Sequence, residues 1–133
     1  SRANSCDLTI GVIGLGYVGL PTAIGFHDAG FIVWGVDISQ QTVNTILKGD
    51  NPTGDSDLND IIPVPFSKGW NITTSTEEAV RNCDVLIVTV PTPVTADLKP
   101  DLTYVRNAGR SVFDAITKVL EQLLFSNLLF IQE

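Results

Sequence analysis

Three glycines give the first chemical signal. Gly14-Leu15-Gly16-Tyr17-Val18-Gly19 has the spacing G-x-G-x-x-G, directly after an apolar run and where a helix should open. Gly14 permits a tight turn. Gly16 leaves the backbone bare for a pyrophosphate, and Gly19 lets the helix pack close to the strand. The first N–H groups of a helix lack helical partners and carry partial positive charge, which suits phosphate oxygens. A glycine-rich turn also serves packing alone, so the flanking strand and helix are what give the motif its meaning. Asp37 ends the next apolar run, about twenty residues past the glycines, where an acid accepts hydrogen bonds from the adenosine ribose. A carboxylate there repels the extra phosphate of NADP, and no arginine follows closely, so NAD is the expected cofactor. Val90-Pro91-Thr92-Pro93 closes a later apolar run. Ligands of doubly wound sheets lie at that strand edge; Thr92 offers a hydroxyl and the prolines stiffen the loop.

The elements that hold these groups follow from apolar runs and their breakers. Strands are expected at Leu8 to Ile13, Phe31 to Val36, Ile72 to Thr74, Val85 to Val90 and Leu128 to Ile131. Val85 to Val90 reads as the clearest buried strand of them. A helix should open near Gly16 or Tyr17, turn Val18, Ala23, Ile24 and Phe26 to the sheet, and end at Gly30. Ser39 reads as the N-cap of a helix to Leu47. Further helices are expected from Thr76 to Asn82 and from Leu102 to Leu120. Gly49 to Pro65 reads as irregular, with one helical turn around Leu58 to Ile62. The alternation of strand and helix predicts an α/β fold: a doubly wound parallel sheet with helices on both faces, the three-layer Rossmann architecture. The expected organisation is a disordered tail over residues 1–7 and one domain over residues 8–133.

Composition narrows the function classes. The chain has 133 residues, 44% hydrophobic and 17% charged, which fits a globular domain. A net charge of −7 without a Lys/Arg cluster argues against nucleic acid and against a basic membrane-surface helix. Val119 to Ile131 is apolar but interrupted by Glu121, Gln122, Ser126 and Asn127, and is shorter than the roughly 20 residues of a membrane span. The first residues lack a basic-then-apolar signal pattern, and the sequence reads as cytoplasmic. Cys6 and Cys83 form no disulfide framework and no metal spacing. His27, the one histidine, reads as a helix residue, and Trp34 and Trp70 as packing residues. With no nucleophile–base pair and no paired carboxylates, no catalytic residue is assigned.

Several blocks together resemble one family. Gly11-Val12-Ile13-Gly14-Leu15-Gly16-Tyr17-Val18-Gly19-Leu20-Pro21 is similar to the opening of the UDP-glucose/GDP-mannose dehydrogenases, and its Tyr-Val-Gly-Leu-Pro is far more specific than the glycines. Val36-Asp37-Ile38 resembles that family's second-strand end. Val88-Thr89-Val90-Pro91-Thr92-Pro93-Val94 and Pro100-Asp101-Leu102-Thr103-Tyr104-Val105 match two further blocks in the right order. The resemblance runs from Leu8 to Glu133, with wording nearest the branch acting on UDP-N-acetylhexosamines such as UDP-N-acetylmannosamine.

The resemblance implies oxidation of a sugar C6 alcohol to a carboxylate with reduction of two NAD. It implies a thioester-forming cysteine and an assisting lysine in a region beyond the cofactor domain, which this chain lacks; Cys83 does not match that cysteine's context. The chain is therefore expected to bind NAD without turnover, the UDP-sugar binding only to the full-length enzyme. Carried over, Gly14, Gly16, Tyr17, Val18 and Gly19 would cradle the pyrophosphate and Asp37 would hold the adenosine ribose. Val90, Pro91 and Thr92 would line the adenosine and nicotinamide side, with Tyr104 nearby. Gln40 and Gln41 stand where the family often has a basic residue. Asp55-Ser56-Asp57-Leu58 replaces a common Glu-Pro-Gly-Leu, and Leu123 to Leu129 lacks the usual glycine-containing turn. Two other classes remain open on the residues: a stand-alone NAD(H)-sensing module, and a different Rossmann hydroxyacid dehydrogenase. Tyr17 to Pro21 and the Pro-Thr-Pro loop argue against the latter. A cofactor domain without its remainder leaves apolar surface exposed, so self-association into a homo-oligomer is expected.

Overall fold

The computed structural model describes the backbone of residues 7–91 and 93–132, and the side chains of these up to residue 124. Residues 1–6 of the expected tail over residues 1–7, Cys6 among them, and Thr92 lie outside the described residues. Four strands, Thr9–Ile13 (β1), Ile32–Val36 (β2), Trp70–Thr73 (β3) and Val85–Val88 (β4), alternate with four helices, Gly19–Asp28 (α1), Gln40–Leu47 (α2), Thr76–Asn82 (α3) and Thr103–Gln132 (α4). The strands form one parallel sheet in the order β3-β2-β1-β4.

The sheet is covered on both faces, as the near-continuous apolar runs require. On one face Ile10, Val12 and Val33 pack with Leu20, Ala23 and Ile24 of α1 and with Val43 and Ile46 of α2. On the other, Ile13 and Val36 pack with Ala79 of α3, with Val112 of α4 against them. Full burial of one such aliphatic side chain stabilises by about 1.5–3 kcal/mol, so the two clusters hold the layers together. Trp70 belongs to the first cluster and Trp34 packs against the second, both as packing residues.

Local signals place the helix ends. Gly30, at φ 98°, follows α1. Its N–H donates to His27 and that of Phe31 donates to Phe26, while the Phe26 and Phe31 rings meet edge to face at 5.7 Å. This closes the helix and aims the chain into β2. The Ser39 hydroxyl accepts the Thr42 N–H at the start of α2. Ser75, rather than Thr76, caps α3 by accepting the Glu78 N–H.

Four expectations need correction. The one-turn helix in the 49–65 connection is a 3-10 turn at Ser56–Leu58, placed by Asp55, whose carboxylate accepts the Asp57 N–H. Val18 is 66% exposed, because α1 opens only at Gly19 and leaves Val18 on the preceding turn. The expected strand Leu128 to Ile131 is helical: α4 runs on to Gln132. No glycine or proline stands between Ser111 and Glu133 to stop it, and good helix formers fill the stretch. Consequently β4 is an edge strand among the described residues rather than a buried one. It ends at Val88, and its Val85 and Val88 are 40% and 42% exposed.

Cys83 packs over Gly11, where a β-carbon would stand 2.9 Å from its sulfur. Burial, and secondarily the Asp84 charge, push its thiol up to about 12. A thiol pKa raised on folding contributes stability that is whole below the ordinary value of 9.0 and lost as pH climbs from there toward 12. At neutral pH, Cys83 in the folded chain is expected to resist iodoacetamide and to react once urea unfolds it, read by mass spectrometry of its peptide. Rapid labelling of the folded chain would contradict the burial.

Candidate functional site

From β1 the chain steps one way to β2 and β3, then returns past β1 to β4. The connections therefore diverge between β1 and β4 and leave a crevice at the carboxyl ends of the strands. A cavity of about 900 Å³ occupies it, bounded by the glycine turn, by Asp37 and Ile38 after β2, by Thr89 to Pro91 after β4, and by the first turns of α4.

The glycine turn is fixed from three sides. Gly14 has φ 95°, a left-handed conformation that favours glycine. Its N–H donates to Val36 at 2.7 Å. A β-carbon on Gly14 would stand 2.0 Å from the Thr89 carbonyl oxygen, and one on Gly19 only 1.6 Å from the Gly14 carbonyl oxygen. Neither position tolerates a side chain. Gly16 differs: a β-carbon there meets nothing within 4 Å, and its backbone lines the cavity. Nothing among the described residues requires a glycine at 16, whereas a ligand lying against the backbone would.

Asp37 follows β2 and accepts two backbone hydrogen bonds, from Leu15 N–H at 3.0 Å on Oδ2 and from Ser39 N–H at 2.9 Å on Oδ1. The carboxylate thereby ties the glycine turn to the start of α2. A carboxylate has about four acceptor positions, so two remain for a ligand diol.

Of the expected site residues, Gly14, Gly16, Tyr17, Val18, Gly19, Asp37, Val90 and Pro91 all line this one cavity, and so does Tyr104. Tyr17 leans over the 49–65 connection, its hydroxyl 2.9 Å from where Gly54 would carry a β-carbon. Exposed apolar side chains also gather here: Tyr17 at 68%, Val18 at 66% and Ile38 at 96%. Such a wall with a few convergent polar groups suits a small ligand containing an aromatic base. His27 lies elsewhere, at the end of α1, its ring centroid 5.3 Å from that of Trp70. Among the described residues no group of His, Cys, Asp and Glu is arranged to hold a metal.

Sequence reasoning missed four polar lining residues: Thr89, Thr76, Asn107 and Ser111. The Ser111 hydroxyl donates to the Thr76 hydroxyl at 3.3 Å and joins α4 to α3 at the cavity wall. Asn107 and Ser111 stand four apart on α4, one helical face, and that spacing is a readable signal. Thr76 gives none, since it only follows the cap of α3.

The glycines separate ligand from packing requirements. Gly16→Ala is expected to leave the melting temperature unchanged or slightly raised, since alanine at a compatible position adds about 0.4–1 kcal/mol, yet to block dinucleotide binding. Gly19→Ala is expected to remove much of the about 5–15 kcal/mol that keeps a domain folded. Thermal melts and calorimetric titration check both; equal losses of stability would show that Gly16 too is needed for packing.

Comparison with known proteins agrees with this geometry. The model of the UDP-glucose/GDP-mannose dehydrogenase family, NAD binding domain, matches residues 8–124. UDP-N-acetyl-D-mannosamine dehydrogenase of Escherichia coli (strain K12) is 40% identical over 111 residues, covering 83% of this chain and 26% of that protein. The UDP-glucose dehydrogenase of Pyrobaculum islandicum superposes with a TM-score of 0.75 at 34% identity, over 82% of this chain and 26% of that one. The UDP-N-acetyl-mannosamine dehydrogenase of Staphylococcus aureus gives a TM-score of 0.70 at 35% identity, over 80% and 26%. The chain thus spans about a quarter of the length of the relatives it matches. Glycine turn, second-strand acid and switch-point cavity stand together in a chain that belongs to the UDP-glucose/GDP-mannose dehydrogenase family, as its NAD-binding domain.

Proposed function

We propose that this chain is the cofactor-holding part of a nucleotide-sugar 6-dehydrogenase of the UDP-N-acetylmannosamine kind, forming one domain from residue 8. In this reading Gly14, Gly16, Tyr17, Val18 and Gly19 receive the pyrophosphate through the backbone, and Asp37 accepts the adenosine ribose hydroxyls. Val90, Pro91 and Thr92 flank the path to the nicotinamide. The open space at Gly16 beside the cavity carries the reading. Bound NAD supplies the hydride acceptor for alcohol oxidation; the chain's part is to bind and orient it. The sugar-nucleotide substrate and the catalytic groups belong to the longer proteins that relatives of this chain represent.

Calorimetric titration with NAD and NADP is the test. NAD is expected to bind and NADP to bind poorly, because the Asp37 carboxylate repels a 2′-phosphate. Asp37→Asn keeps the shape but removes the charge and, because its amide nitrogen cannot accept, one of the two backbone hydrogen bonds. Loss of a charge-assisted hydrogen bond, about 1.5–3 kcal/mol, weakens NAD by roughly 10- to 150-fold. NADP binding as tight as NAD would refute the role given to Asp37.

We further propose that the chain self-associates. Phe113, Ile116, Leu120, Leu123 and Leu124 of α4 are each more than a third exposed and recur at the 3-4 spacing of one helix face. Apolar patches beyond a few hundred Å² tend to be covered by partners. Sedimentation over a concentration series is expected to show a rising mean mass, and a sharp monomer throughout would reject the proposal.

A further inference from the structure

We infer that Thr89 is a positioning residue for the cofactor turn, a latch between the end of β4 and the glycine loop; the inference rests on the NAD reading of the cavity. Three contacts carry it. The Thr89 N–H donates to the Ile13 carbonyl at 2.8 Å and continues the β1–β4 ladder one residue past β4. The Thr89 hydroxyl donates to the Gly14 carbonyl at 2.8 Å, with a longer approach of 3.2 Å to that of Ile13. The Ile13 oxygen already accepts the Thr89 amide, so the single hydroxyl proton belongs to Gly14.

The Gly14 carbonyl depends on that proton. Among the described residues the Thr89 hydroxyl is the hydrogen-bond donor to this oxygen, which is wedged where a Gly19 β-carbon would be. The same hydroxyl oxygen would stand 2.4 Å from that β-carbon, so Thr89, Gly14 and the start of α1 share one tight contact. The orientation of the Gly14 carbonyl sets the peptide plane that ends in Leu15 N–H, and that N–H donates to Asp37 at 3.0 Å. One hydroxyl therefore fixes the turn on the strand side while Asp37 fixes it on the helix side. Thr89 need not touch the cofactor: it holds the backbone that does, and it couples the turn to the Val90-Pro91 loop that starts at the next residue.

A methyl group in place of the hydroxyl keeps the volume and removes the donor, which leaves a half-buried carbonyl unpaired. Thr89→Val is expected to weaken NAD binding about tenfold, while Thr89→Ser stays within about twofold because the hydroxyl is restored. Titrations are run where tryptophan fluorescence shows each variant folded, so that loss of fold is separated from loss of position. Amide exchange in the cofactor-free chain gives the second reading. The Gly14 and Leu15 amides are expected to exchange faster in Thr89→Val, with the β2 amides unchanged and Thr89→Ser like the parent. Parent-like NAD affinity in Thr89→Val overturns the inference, whatever the exchange shows. Should the parent itself not bind NAD, the cofactor reading fails, and unchanged exchange at Gly14 and Leu15 would then overturn the latch separately.

Discussion

The carbonyl oxygen of Gly14 sits where any side chain at Gly19 would have to be, and the cofactor end of the molecule is arranged around that contact. It sets how closely α1 approaches the end of β1, and so where the backbone of the glycine turn points. It leaves the Gly14 oxygen needing a donor from outside the turn, which the Thr89 hydroxyl supplies. Glycine at 14 and at 19 thus answers to packing, and glycine at 16 to the space in front of the turn.

Asp37 braces the other side of the cavity. Its two backbone hydrogen bonds hold the turn and the first residues of α2 in one frame. Asp37 also lines the cavity and has acceptor positions to spare. In the proposed role, a carboxylate already held by the fold would meet a ribose without first ordering its own side chain, so less of the binding free energy would be lost to side-chain entropy. The exposed Tyr17, Val18 and Ile38 have the same logic: apolar groups held at a cavity rim rather than in a core.

The opposite flank has different physics. With four strands, the β4 edge and one face of α4 carry apolar side chains in contact with solvent. Among the described residues, the Lys118–Glu77 pair, at 3.2 Å, and the Ser111–Thr76 hydrogen bond tie α4 to α3 through polar groups, and both are exposed. Exposed pairs of this kind, screened by solvent, contribute little to stability. Burial of Val112 and Ala115 therefore does most of the holding.

Much of this was legible in the sequence. The glycine spacing, Asp37 at the end of an apolar run, Ser39 as a cap and Gly30 as a stop are local signals, and each acts through its own backbone or its near neighbours. Alternating runs gave the parallel sheet because strand and helix periods differ. The tertiary structure decided what depends on groups far apart in the chain. Thr89 reads as one more strand residue until it meets Gly14, 75 positions away. Exposure of β4 depends on whether a neighbouring strand exists, not on its own Val-rich composition. Leu128 to Ile131 has the composition of a strand, but a strand needs a partner edge and a turn to reach it, whereas a helix needs only the preceding turn to continue. That asymmetry, local hydrogen bonds against long-range ones, separates what the amino-acid order determined here from what folding alone decided.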